Sequence, residues 1–191
     1  EHSRDLKMAT QACRVMTQLA SRGPPKVVEA RCKMISDCGG ISIFLNTLEI
    51  HAKNYNFVIA CVDVLRSIVV GSVDVAVRAI EEERLPSRFS QLLRDFPGGL
   101  IPEFSKIQYT VYRAIMSMCL TGGDMSREFF ARAGVMDEAM KALRAAAHDR
   151  VEELQQSINI LDRLFPLIES VDEELRNAKE EYSCQDCVGD I

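Results

Sequence analysis

Between residues 34 and 70 the apolar positions recur with a helical period. Ile41, Phe44, Leu45 and Leu48 stand at i, i+3, i+4 and i+7, and Cys61, Val64, Leu65 and Ile68 repeat that spacing; each set occupies one face of a helix. Gly39-Gly40 separates the first set from a preceding helix, Val27 to Asp37, and Asn54-Tyr55-Asn56 breaks the chain before the long helix Phe57 to Val70. The pattern thus predicts three helices, over 27–37, 41–52 and 57–70, none able to bury its apolar face alone.

The same arrangement returns along the chain. Leu6 to Ala20 is a helix with Leu6, Ala9, Cys13, Met16, Leu19 and Ala20 on one side, stopped by Ser21-Arg22-Gly23-Pro24-Pro25; glycine followed by proline ends helices. It aligns with Cys61 to Ile68 and reads as the last helix of an incomplete unit. A second full unit places Leu85 and Leu92 where Ile41 and Leu48 stood, with Val75 to Glu83 as its first helix and Phe104 to Leu120 as its last. Here Arg84-Leu85-Pro86 replaces the double glycine, and proline is tolerated in a first helical turn because its missing N–H would be unpaired there anyway. The proline-flanked loop Asp95 to Pro102 carries Phe96, Leu100 and Ile101, which are expected to dock on the helices. A third unit runs from Phe129-Phe130-Ala131-Arg132-Ala133-Gly134-Val135, through Leu143, to Leu161 and Leu164.

The short helix, the Cys38-Gly39-Gly40-Ile41 or Ala133-Gly134-Val135 turn, the apolar second helix and the third helix ending in A-x-x-x-L-x-x-I/L together resemble the armadillo repeat. The resemblance covers about 150 residues. It implies an all-α, right-handed α-solenoid of about three armadillo-like three-helix repeats, forming one domain over 1–182. The expected units are a partial repeat at 6–20, full repeats at 27–70, 75–120 and 125–165, and an acidic capping helix at 166–182, with a flexible tail at 183–191. HEAT-like packing is the alternative pattern. The first residue is Glu and no secretory segment opens the chain, so a piece of a longer protein is expected.

In armadillo proteins the third helices line a concave groove, so the resemblance directs attention to their non-core faces. At 100° per residue these are Arg14, Thr17 and Gln18; Ile59, Asp63, Arg66 and Ser67; Tyr109, Arg113, Met116 and Ser117; and Asn159, Asp162 and Arg163. Arginines beside an aromatic or a methionine suit a peptide carrying carboxylates or phosphates and an apolar anchor, because the guanidinium forks onto such oxygens. The alternative is an ordinary solvated face, with Ile59 and Met116 packed on neighbouring helices. Importin-alpha-type armadillo proteins carry a Trp and Asn ladder on these helices. Here the Trp positions hold Arg14, Asp63, Arg113 and Asn159 and the Asn positions hold Gln18, Ser67, Ser117 and Arg163, which argues against recognition of nuclear localisation signals.

Composition narrows the function. The net charge is −5, yet eight acidic residues against Arg176 and Lys179 from Pro166 onward leave the remainder close to neutral, at +1. No basic stripe marks a nucleic-acid binder, and the most apolar segment, Phe57 to Ser72, is interrupted by Asp63 and Arg66, so no membrane insertion is expected. Seven cysteines, an odd number, fit a reducing, cytoplasmic setting. Cys184 and Cys187 form one CxxC with no second pair and no histidine at ligand spacing, which points to a terminal tail rather than a metal or redox site. Gly98-Gly99 and Gly122-Gly123 are expected in loops, His51 and His148 near helix ends, and no phosphate loop, HExxH or GxSxG appears. The expectation is a non-catalytic, cofactor-free protein-protein interaction module of an intracellular scaffold or adaptor. Its alternatives are a self-associating segment, as a homodimer, and a regulatory domain recognising a small GTPase, as armadillo-like formin domains do.

Overall fold

The computed structural model describes residues 2–81, 84–97, 101–145 and 159–166, and among them every regular element is helical. The elements are α1 (His2–Ser21), α2 (Pro25–Asp37), α3 (Gly40–Ile50), α4 (Tyr55–Val70), α5 (Val73–Glu81), α6 (Leu85–Asp95), α7 (Pro102–Arg132) and α8 (Val135–Ala145), followed by α9 over 159–166. The expected acidic cap beyond residue 166, Cys184 and Cys187, His148 and the middle of the Asp95 to Pro102 loop lie outside the described residues.

The helix α4 is the centre of the molecule and packs on α1, α2, α3, α5 and α7. Nine of its residues, from Phe57 to Val69, are buried. It starts at Tyr55, two residues before the sequence pattern suggests, because the Asn54 side chain accepts a hydrogen bond from the Phe57 backbone N–H at 3.0 Å. An asparagine in this place satisfies one of the unpaired donors of the first turn. Around this helix the packing has a regular step: α1 lies on α4, α4 on α7 and α2 on α5.

The three helices α3, α6 and α8 start in the same way. The residue before each first turn is left-handed: Gly39 at φ 76°, Arg84 at φ 55° and Gly134 at φ 71°. Two of these positions use glycine, which has no Cβ to clash in that conformation. At Arg84 the turn keeps its shape although the glycine is gone, so this arginine bears a steric cost of roughly 1–2 kcal/mol. Pro86 then fits in the first turn of α6.

The structure departs from the sequence reading in two places. Gly122-Gly123 holds no loop of several residues: the two helical arms of α7 meet at Gly123, whose φ of 64° and ψ of −149° break the helix between them. Only glycine reaches that backbone conformation readily. The residues expected to open the third unit therefore form the far arm of α7. Leu19, expected on the core face of α1, is 43% exposed, while the other five residues of that face pack into the core.

The loop after α6 docks through Phe96, which is buried. Its ring meets Tyr55 and Phe104 edge to face, at centroid distances of 5.9 and 5.2 Å, and Tyr55 meets Phe104 at 5.4 Å. Gln108 Nε2 donates to the Phe96 carbonyl at 2.8 Å, closing the loop against α7. The other apolar residue described in this segment, Ile101, remains exposed.

Replacing Arg84 with glycine should stabilise the domain by about 0.5–1 kcal/mol, the steric relief being partly offset by the greater entropy of the unfolded glycine chain. Urea denaturation of Arg84→Gly checks this; a lower midpoint than the parent would show that the arginine side chain is needed at that turn.

Candidate functional site

The polar face of α1 and the solvent-facing strip of α4 enclose one continuous trough. Its upper part is bordered by Leu6, Lys7 and Thr10 from α1 with Asn54 and Asn56 at the start of α4. Its lower part is bordered by Thr17 and Gln18 from α1 with Ile59, Ala60 and Asp63 from α4, and Arg14 and Asn56 belong to both. The arrangement follows from helix geometry: Lys7, Arg14 and Gln18 share one face of α1, while Asn56, Ile59 and Asp63 stand at i, i+3 and i+7 on α4. Ile59 and Ala60 are half-buried and supply an apolar floor. Four residues expected at a groove, Arg14, Gln18, Ile59 and Asp63, thus border a single depression.

A charged cluster adjoins the trough where α4 meets α7. Arg113 Nη2 donates to Asp63 Oδ1 at 2.6 Å, and its guanidinium lies 5.9 Å from the centroid of the Tyr109 ring, within cation–π range. Arg66 Nε stands 3.7 Å from the same carboxylate oxygen, too far for a hydrogen bond. Asp63, about 29% exposed at its side chain, therefore sits between two arginines and partly neutralises them. Arg14 borders the same depression as this carboxylate, and Lys7 lies at the trough's other end.

The remaining expected positions take other roles. Ser67 is buried and its hydroxyl donates to the Asp63 carbonyl at 2.9 Å. Ser117 donates to the Arg113 carbonyl at 2.8 Å. Both hydroxyls thus bond back to their own helix. Met116 is half-buried against the core. Asn159 and Arg163 are exposed on α9.

Asn56 and Lys7 were missed by sequence reasoning. Asn56 was taken as part of a loop, although Asn54 three residues before Phe57 is a readable helix-start signal. A second depression lies between α3 and α6, away from the helices to which the armadillo resemblance points. Asn46 and Glu49 face Arg84, Ser87 and Arg88 across it, and Arg88 Nη2 reaches Glu49 Oε2 at 2.7 Å.

Nucleophilic chemistry has few openings among the described residues. Cys13 and Cys61 are both buried, on α1 and α4; Cys61 Sγ donates to the Phe44 carbonyl at 3.3 Å, and interaction between the two thiols lowers the Cys13 pKa and raises that of Cys61. Burial pushes Cys32 up, and it pushes Cys119 up to about 12. Among the described cysteines only Cys38 is exposed. Among the described residues no three His, Cys, Asp or Glu side chains gather as a metal group, and no helix is long and apolar enough to cross a membrane. Comparisons with protein-family models, with curated proteins and with solved structures yield no match to this chain.

Thiol alkylation of the native protein near neutral pH, read by peptide mapping, should label Cys38 and leave Cys13, Cys32, Cys61 and Cys119 unmodified until the chain unfolds, because a thiol needs both access and its thiolate form. Labelling of Cys13 or Cys61 at the rate of Cys38 would contradict the packing of α1 on α4.

Proposed function

We propose that this chain is an armadillo-like, right-handed α-solenoid of about three repeats that acts as a non-catalytic binding module, holding an acidic or phosphorylated peptide along α1, α4 and α7. Support for the architecture comes from the step of three in the helix packing and from the shared left-handed residue before α3, α6 and α8. Support for the binding mode comes chiefly from one observation: Arg14 and Asp63 border a trough with an apolar floor, and Asp63 in turn holds Arg113 and stands beside Arg66 where the charged cluster adjoins it.

In this reading Asp63 has two effects. It keeps Arg66 and Arg113 oriented while the groove is empty, and it competes with the incoming anion. A ligand carboxylate or phosphate forks onto the freed guanidinium, which suits planar two-point hydrogen bonding. Ile59 and the Tyr109 ring then cover an apolar side chain beside the charge. An intracellular scaffold or adaptor is the setting proposed for such a module.

Fluorescence anisotropy with acidic and phosphorylated peptides tests the proposal. Arg14→Gln combined with Arg113→Gln should weaken binding about five- to thirtyfold, since two partly exposed arginine contacts are worth roughly 0.5–1 kcal/mol each. Asp63→Asn should tighten binding several-fold by removing the internal competitor, and added salt should weaken every affinity. Equal affinity of parent and double variant at low and high salt would move the binding site away from this face.

A further inference from the structure

The charges of this chain are segregated. From Pro166 onward eight acidic residues stand against two basic ones, whereas the preceding body is close to neutral. Within that acidic segment Leu167, Ile168, Val171 and Leu175 keep the helical spacing that suits a cap on the last unit. The spacing does not continue beyond Arg176. Residues 180–191 instead hold Glu180, Glu181, Asp186 and Asp190, no lysine or arginine, and one aromatic side chain, Tyr182. This is the composition of an acidic peptide with an apolar anchor, the ligand class proposed above for the trough.

The trough, for its part, is short of carboxylates. Among the described residues that border it Asp63 is the only acid, and that one carboxylate is shared between Arg66 and Arg113. Arg66 Nε and Arg113 Nε both lack a hydrogen-bond partner among the described residues. Arg14 stands on the other wall, and Lys7 lies at the far end.

We propose that residues 180–191 occupy the trough of their own chain and hold it closed against other acidic ligands. The inference rests on the peptide-binding reading of that trough. Reach allows it. The helix α9 buries Leu161 and Leu164 in the same core as α4 and α7, and packed helices lie about 10 Å apart, so the trough is about 20–30 Å from the end of α9. The thirteen residues 167–179 extend up to about 45 Å. Length fits as well: Lys7 to Gln18 covers about 16 Å of α1, and Glu181 to Asp186 covers about the same distance as extended chain. In this register Glu180 and Glu181 meet Arg113 and Arg66, Tyr182 lies on the floor of Ile59 and Ala60, and Asp186 reaches Lys7. Attachment favours this segment over any free peptide, since a short tether gives it a local concentration of about 1 mM. An intrinsic dissociation constant of about 100 µM then suffices for it to fill the trough about nine-tenths of the time and to weaken an outside ligand about tenfold.

Fluorescence anisotropy on the whole chain tests this with two labelled peptides, one of residues 180–191 and one of unrelated sequence, hexaglutamate followed by tyrosine. Glu180→Gln, Glu181→Gln, Asp186→Asn and Asp190→Asn together should strengthen binding of both peptides about tenfold. Tyr182→Ala, which changes no charge, should strengthen it about threefold. Adding Arg14→Gln and Arg113→Gln should remove either gain. Because the readout is a gain, misfolding cannot imitate it. A gain from the charge variant with none from Tyr182→Ala is long-range repulsion alone and overturns the proposal. So does a gain that the arginine substitutions leave in place, or a parent whose affinity rises on dilution, which would put the segment in the trough of another copy. If neither tail variant gains while the arginine substitutions still weaken binding, the segment stays out of the trough and the peptide-binding reading stands without it. If the arginines make no difference in any background, that reading fails, and this inference with it.

Discussion

The near-complete burial of α4 governs the rest of this molecule. Five helices pack against it, and what remains open is one narrow strip through Asn56, Ile59, Asp63 and Arg66. Its only charged residues, Asp63 and Arg66, both fall on that strip, as they must, since an ion elsewhere on the helix would lie unpaired in apolar packing at a cost of several kcal/mol. The same constraint that makes α4 the core helix therefore confines its polar chemistry to one line, and that line is the wall of the trough. Fold and candidate site are two consequences of one packing arrangement.

Charge pairs between neighbouring helix sets act on register more than on stability. Lys33 to Asp74, Arg78 to Asp37 and Arg88 to Glu49 each tie a residue of α2 or α3 to one of α5 or α6. In the first pair the hydrogen bond between the two side chains raises the Lys33 pKa and lowers that of Asp74, although the side chains are 38% and 75% exposed. Water and salt screen such contacts, so apolar burial around α4 and α7 must supply most of the folding free energy. Asp63 to Arg113 differs in that its carboxylate is only 29% exposed, against 62% or more in the other three, and in belonging to the candidate site.

Helices were legible in the sequence because the apolar period of 3.6 is strong and the breaks at Gly23-Pro24-Pro25, Gly39-Gly40 and Ala133-Gly134 are chemically distinct. The brevity of the break at Gly123 was not, since a double glycine is compatible with a loop of several residues and with a single non-helical residue between two helical arms, and the choice is made by tertiary packing. Leu19 was misplaced because α1 carries two adjacent stripes and the period alone does not say which one faces the core. At the candidate site, spacing placed Arg14 and Gln18 on one helix and Ile59 and Asp63 on another, and these four border one depression. It could not foresee that Asp63 would bind Arg113 fifty residues away in the chain, which depends on how α4 and α7 cross and on side-chain conformation.

Native-state hydrogen exchange resolved by residue tests most directly whether α4 organises the fold. If it does, the amides from Val58 to Val69 exchange only through global unfolding, with protection equal to the full stability of the domain, while the outer faces of α1 and α6 open at lower cost. Exchange of these α4 amides as fast as those of α1, or with a denaturant dependence showing local opening, would contradict the central place given to this helix.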